Sequence, residues 1–180
     1  MIRIDFDLGD GVRLRTLDPG DAEALFAVVE ANRERLRPWM PWEDATRSPD
    51  DVRDFIERAR ASSSDAEANG IWVDGELAGT VGMRIDLLAN SAEIGYWIAG
   101  NHEGRGIVTR GCRRLIDEAF GAFGLHRVSL HAATTNLRSQ AVAERLGMTR
   151  EAVLREAERS PQGYHDLVVY SILEHEWPTA

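Results

Sequence analysis

From Ala92 to Phe123 the chain reads as one strand, one glycine-rich turn and one amphipathic helix, an order that fixes where free backbone amides are presented. Ala92, Ile94, Tyr96 and Ile98 alternate with Glu93, Gly95, Trp97 and Ala99, the period of two expected of a strand with two distinct faces. The turn Asn101-His102-Glu103-Gly104-Arg105-Gly106 follows, and beyond it Val108, Cys112, Leu115, Ile116, Ala119, Phe120 and Phe123 recur at helical spacing. The first amides of such a helix have no partner four residues back. Gly104 and Gly106 let the backbone approach a ligand closely, and the helix start favours negative charge. A phosphate is the expected occupant, with Arg105, Arg110, Arg113 and Arg114 adding positive charge nearby. The same residues also suit a surface turn followed by a solvated basic helix face.

The remaining sequence bounds this unit. At 180 residues, one domain spanning 1–180 is expected. A net charge of −9 argues against nucleic acid or an anionic membrane as the general partner, yet allows a local anion site. Cys112 is the only cysteine, so there is no intrachain disulfide and no cysteine-rich zinc site, and its helical spacing assigns it to the core. No metal cluster stands out among His102, His126, His131, His165 and His175. The amino terminus lacks the pattern of a secretory signal and no apolar run is long enough to cross a bilayer, so the expected location is cytoplasmic.

Before the central unit, the spacing predicts a hairpin of residues 3–8 and 12–17 across Gly9-Asp10-Gly11, then a helix opened by Asp18-Pro19-Gly20-Asp21. Leu36-Arg37-Pro38-Trp39-Met40-Pro41-Trp42 reads as a short helix or ordered loop. A second helix opens at Ser48-Pro49 and ends at Ser62-Ser63-Ser64, and residues 69–73 and 77–85 form a hairpin across Asp74-Gly75-Glu76. After the central helix come a strand at 127–133, a helix from Thr135-Asn136-Leu137 to Gly147, a strand at 148–154, a polar excursion at 156–163 and a closing strand at 167–173. The strand-helix-strand order makes the sheet mixed, in a single α/β domain.

Four segments together resemble the GCN5-related N-acetyltransferase (GNAT) superfamily, and within it the RimJ/RimL-type branch of ribosomal-protein N-terminal acetyltransferases. They are Leu36-Arg37-Pro38-Trp39-Met40-Pro41-Trp42, Glu93-Ile94-Gly95-Tyr96-Trp97-Ile98, His102-Glu103-Gly104-Arg105-Gly106-Ile107-Val108, and Asn136-Leu137-Arg138-Ser139 leading to Ala143-Glu144-Arg145-Leu146-Gly147-Met148. The resemblance implies the acyl-CoA N-acyltransferase fold, an α/β (α+β) domain whose mixed central sheet splays between its fourth and fifth main strands, with helices on both faces. Acetyl-CoA is the implied cosubstrate. Its pyrophosphate is then expected on the amides from Gly104, Arg105 and Gly106 through Ile107, Val108 and Thr109, with the side chains of Arg105 and Arg110. Glu103 replaces the family's usual Gln or Arg and is expected to turn away from the phosphates. The pantetheine arm is expected between residues 91–99 and 127–133, bonded by Tyr96, Trp97 and Ile98, with Asn136 and Ser139 alongside.

The implied reaction is acetyl transfer to a primary amine by direct attack, most closely the N-terminal α-amine of a protein or peptide. A small-molecule amine or antibiotic is an alternative acceptor, and a non-catalytic acyl-CoA sensor is an alternative role. Glu93 matches the family's acidic position and is expected to accept the amine proton, with His131 as a second candidate. Tyr96 offers a backbone amide to the thioester oxygen, and Ser139 a hydrogen bond to sulfur. Trp39, Met40 and Trp42 are expected to wall the acceptor channel, Glu43 and Asp44 to attract the ammonium, and Tyr164 to serve as a reserve donor if 156–163 folds back. A homodimer is a further expectation.

Overall fold

The computed structural model describes residues 3–61, 68–161 and 163–178. Its strands are β1 (Asp5–Gly9), β2 (Val12–Thr16), β3 (Asn69–Val73), β4 (Glu76–Asp86), β5 (Ser91–Ile98), β6 (Arg127–Ala133), β7 (Thr149–Ser160) and β8 (Gly163–Leu173). The helices are α1 (Ala22–Leu36), α2 (Pro49–Ala61), α3 (Ile107–Phe120) and α4 (Leu137–Arg145). One eight-stranded sheet runs β1-β2-β3-β4-β5-β6-β8-β7. Every neighbouring pair is antiparallel except β5 with β6, which the α3 crossover makes parallel. The splay expected between the fourth and fifth main strands therefore lies between β5 and β6 once the short β1 is counted.

Alternation along the strands produces two cores. Ile94 on β5, Leu130 on β6 and Tyr170 on β8 pack with Cys112 and Leu115 of α3 and Val142 of α4. Trp97 of β5 packs on the opposite face with Leu25 and Val29 of α1 and Val52 and Ile56 of α2. Burial drives the Cys112 thiol well above its ordinary range, so it remains a protonated core group.

Local signals place the helix starts. Asp18 and Asp21 form a reciprocal capping box around Pro19, and Asp51 Oδ2 accepts hydrogen bonds from the Arg47 and Ser48 amides before α2. After α1 the tryptophan-proline stretch is an ordered loop that closes in a single 3-10 turn at Glu43–Ala45. The expected stop at Ser62-Ser63-Ser64 lies outside the described residues.

One expected element is different. Residues 156–160 are not an excursion. β7 continues to Ser160 and pairs with β8 at Glu158–His165, Arg159–Tyr164 and Ser160–Gly163. A register shift between Leu154 and Glu158 accommodates Glu156 at φ 49°, and Glu156 N donates to Asp166 Oδ1 at 2.8 Å. β7 is an edge strand exposed along almost its whole length, so it carries no apolar alternation for a sequence reading to detect.

Candidate active site

The site begins where a sheet pairing stops. β5 and β6 are in register only at Ser91–Arg127, Ala92–Val128 and Glu93–Ser129. Beyond Glu93, β5 stays bonded to β4 as far as Ile98–Gly79, and β6 stays bonded to β8 as far as Ala133–Leu167. Each strand is held by its outer neighbour while a gap opens between them, leaving two facing backbone edges without each other as partners. The gap leads into a cavity of about 810 Å³ lined from β4, β5, β6, β7 and the α1–α2 region.

At one end of the gap stands the glycine turn. Gly104 and Gly106 have φ of 73° and 70°, left-handed values that a Cβ disfavours. The Arg110 amide makes the first helical bond, to Gly106 O at 3.1 Å, so the amides of Ile107, Val108 and Thr109 precede the α3 ladder. A Cβ built on either glycine would meet no atom within 4 Å, so it is backbone conformation and not crowding that calls for glycine here. This main-chain geometry fits a diphosphate.

The side chains around that turn redistribute the expected charge. Arg105 remains at the turn, with Nη1 3.2 Å from His102 Nδ1. Arg110 instead reaches the tip of the β1–β2 hairpin, bonding Leu8 O at 3.2 Å and Asp10 Oδ2 at 2.8 Å, so its expected phosphate role is corrected. Arg113 lies over the Trp177 ring and Arg114 over Phe6 while pairing with Glu118. Arg110 lies about one helical turn from the start of α3, and Arg113 and Arg114 about two. Glu103 turns away as expected, pairing with Arg35 at 2.6 Å and with Arg138. Arg145, which periodicity alone did not single out, approaches Thr109 Oγ1 at 3.4 Å.

In the gap, Tyr96 meets Ser139. The Tyr96 hydroxyl lies 2.8 Å from Ser139 Oγ and donates to Ser139 O at 3.2 Å. Burial first, and Cys112 second, hold the phenol far above its ordinary pKa, against the opposing pull of the Ser139 hydrogen bond and Arg145. Tyr96 is therefore a neutral donor at any working pH. Asn136 caps α4 by accepting from Ser139 N at 3.2 Å, and both line the cavity. Ile107 is a buried side chain, so its contribution to the site is confined to the main chain, whereas the largely buried Trp97 also lines the cavity.

The acceptor side carries the titratable groups. Glu93 and His131 both line the cavity, with His131 Nδ1 3.7 Å from Glu93 Oε1 and Arg84 Nη2 3.3 Å from Glu93 Oε2. Glu158, reached by the extended β7, lines the same cavity without forming an ion pair or hydrogen bond among the described residues. Burial raises its pKa and the Glu93 charge adds to the rise, while His165 and His131 oppose it. Nothing in the spacing of Glu158 marks it, because it sits in a run of charged residues on an edge strand. Only its pairing opposite His165 brings it to the site.

Trp39, Met40 and Trp42 line the cavity as expected, and Trp42 packs on Trp97 with ring centroids 6.1 Å apart. Three expected residues, Glu43, Asp44 and Tyr164, do not line the cavity. Glu43 is 0% exposed and its carboxylate is paired with Arg33, whose guanidinium also bonds Glu43 O at 2.9 Å and Thr46 O at 2.8 Å. A carboxylate sealed in this way holds the loop and cannot greet an incoming ammonium. Asp44 faces outward toward Arg37 at 3.4 Å. Tyr164 is 65% exposed and does not line the cavity, because the β7–β8 hairpin directs its neighbour His165 inward against Trp39.

Comparison with known proteins agrees with this architecture. The family model described as "Acetyltransferase (GNAT) domain" matches residues 12–149. The chain is 38% identical over 175 residues to the putative ribosomal N-acetyltransferase YdaF of Bacillus subtilis (strain 168), covering 94% of this chain and 95% of that protein. A solved probable acetyltransferase superposes with a TM-score of 0.90 at 37% identity, covering 97% of this chain and 99% of the other. The microcin C7 self-immunity acetyltransferase MccE, solved with acetyl-CoA and AMP, superposes with a TM-score of 0.85 at 29% identity, covering 92% and 94%.

Proposed function

We propose, from the premise that this chain belongs to the acetyltransferase (GNAT) domain family, that it transfers the acetyl group of acetyl-CoA to the N-terminal α-amine of a protein or peptide. The observation that carries the chemistry is the loss of β5–β6 pairing after Glu93–Ser129 beside a half-buried Glu158 whose carboxylate makes no ion pair among the described residues. The similarity to a putative ribosomal N-acetyltransferase supports the choice of acceptor.

Acetyl-CoA supplies an acyl thioester whose thiolate is a competent leaving group. The amides of Ile107, Val108 and Thr109, with Arg105, would hold its diphosphate. The open edges of β5 and β6 would bind its extended arm as a strand binds a sheet edge. Main-chain donors of β5 near Tyr96 would bond the carbonyl oxygen more strongly as negative charge grows there, which is what lowers the barrier.

The attacking amine must be neutral, and Glu158 is the group suited to take its proton. Burial, aided by the Glu93 charge and opposed by His165 and His131, raises the pKa of that carboxylate and makes it a better base than an exposed one. Glu93, held by Arg84, and His131 would orient the ammonium beforehand. As the nitrogen–carbon bond forms and the carbon–sulfur bond breaks, the neutral Tyr96–Ser139 pair would donate toward the departing sulfur.

The test is free-thiol release from acetyl-CoA by the full chain, with short peptides and a panel of small amines as acceptors. Acceptor-dependent release with peptides above small amines supports the proposal. Saturable acetyl-CoA binding without release for any amine would instead identify a sensor.

A further inference from the structure

We infer that the acceptor half of the cleft is built for an amine whose adjoining group is bulky and apolar, so that peptides beginning with Leu, Met or Phe are acetylated in preference to those beginning with Ser. This rests on the acetyl-transfer reading above and adds the side chain that the acceptor brings.

The floor of that half is bare. Gly82 of β4 and Gly95 of β5 are register partners, two pairs along from Arg84–Glu93 and so on the same face of the sheet, and both line the cavity. A Cβ at Gly95 would meet nothing within 4 Å, so open space begins at the backbone itself. An acceptor's side chain has room where the sheet has none.

The wall facing this floor carries a group of apolar side chains, beside which Asp51, Asp54 and Arg58 of α2 also line the cavity. Val29 comes from α1, Phe55 from α2, and Met40 and Trp42 from the connecting loop. Thr46 also lines the cavity, but its Oγ1 already donates to Trp42 O at 3.2 Å. A hydroxymethyl group placed here would lose water without gaining a matched partner, whereas an aliphatic or aromatic group would gain contacts. The wall is pre-formed, because Trp42 rests on Trp97 and Arg33 fixes the loop through Glu43 and Thr46 O. Preorganisation of this kind converts burial into affinity.

Charge fixes the direction in which an acceptor enters. Glu93 and Glu158 line the cavity from the sheet with His131, while Asp51, Asp54 and Arg58 line it from α2, where Asp51 Oδ2 already accepts from the Arg47 and Ser48 amides and Arg58 offsets the other carboxylate. An ammonium drawn to Glu93 and Glu158 leaves its adjoining group over the two glycines and against the wall.

The experiment is a ladder of matched peptides differing only in the first residue, Leu, Met, Phe, Ala or Ser, with kcat/KM read by thiol release. Leu, Met and Phe are expected to exceed Ser by about 10- to 100-fold, the discrimination an apolar pocket achieves against a small polar group, expressed mainly in KM. Phe55→Ser and Met40→Gln should each bring the Leu-to-Ser ratio toward one while leaving KM for acetyl-CoA unchanged, and that unchanged KM reports a folded site. A wild-type ratio of one or below overturns the inference and leaves acetyl transfer standing. Absence of release with every amine overturns the reading beneath it.

Discussion

The Tyr96 hydroxyl lies 2.8 Å from Ser139 Oγ, joining β5 to the first turn of α4 across the mouth of the gap between β5 and β6. The phenol is buried and neutral, and in the proposed reaction this pair donates toward the departing thiolate. Tyr96→Phe should lower kcat by about 10- to 100-fold with little change in KM for acetyl-CoA, as expected for a group acting in the transition state. Ser139→Ala should cost less, since Tyr96 still reaches the sulfur. Steady-state thiol release on both variants checks the order, and a larger loss in Ser139→Ala would reverse the assignment.

Glu158→Gln should reduce kcat by about 100-fold or more while preserving acetyl-CoA affinity. The sign of its pH effect follows from burial, which favours the protonated carboxyl. Only the ionised form accepts a proton, so wild-type activity should fall as pH drops through a pKa lying above the ordinary glutamate value. That acidic limb should vanish from the residual rate of Glu158→Gln. A pH profile of kcat/KM against a peptide acceptor tests this, and a limb unchanged in the variant would place the base elsewhere.

Gly106→Ala would force a Cβ into a left-handed conformation with no clash to relieve, so its effect reports backbone strain alone. The expected destabilisation is about 1 kcal/mol, with KM for acetyl-CoA raised and KM for the acceptor unchanged. Isothermal titration with coenzyme A separates the two effects.

Glu43 and Arg33 anchor the loop that carries Trp39, Met40 and Trp42. Glu43→Ala leaves the guanidinium without its buried partner and should destabilise the fold by about 3 kcal/mol, whereas Glu43→Gln keeps a hydrogen bond and should cost less. Urea unfolding measures the difference. Retained activity in Glu43→Gln would agree with an anchoring role and would argue against any role for the Glu43 charge in attracting substrate.

Arg127 and Ser171 hold the Glu151 carboxyl down at about 2. A depressed pKa contributes stability above the unfolded value of 4.5 and loses it as pH falls toward 2. Because the pair is about one-third exposed, the contribution after solvent screening is about 1 kcal/mol. Glu151→Gln should therefore be less stable than wild type at pH 7 and nearly equal to it near pH 2, as thermal melts at both values would show.

Much of this molecule is written locally. The alternation from Ala92 to Ile98, the glycine turn and the apolar spacing after it predict β5, the anion turn and α3, because each depends on residues within a few positions of one another. The Asp18 and Ser48 helix starts and the Asp74-Gly75 hairpin belong to the same class. Side-chain direction does not. Arg110 was drawn away by a hairpin about 100 residues earlier, and Glu43 was sealed by an arginine from a different element.

The sequence by itself determined the order of elements, the supply of free amides at Ile107, Val108 and Thr109, and the family to which these belong. Tertiary structure added a second glutamate to the cleft beside Glu93. Glu158 arrives only because β7 pairs with β8 to its far end, and the gap exists only because β4 and β8 hold β5 and β6 apart beyond Glu93–Ser129. Both are consequences of long-range strand register, a quantity set by hydrogen bonds between distant segments and therefore invisible to any local period.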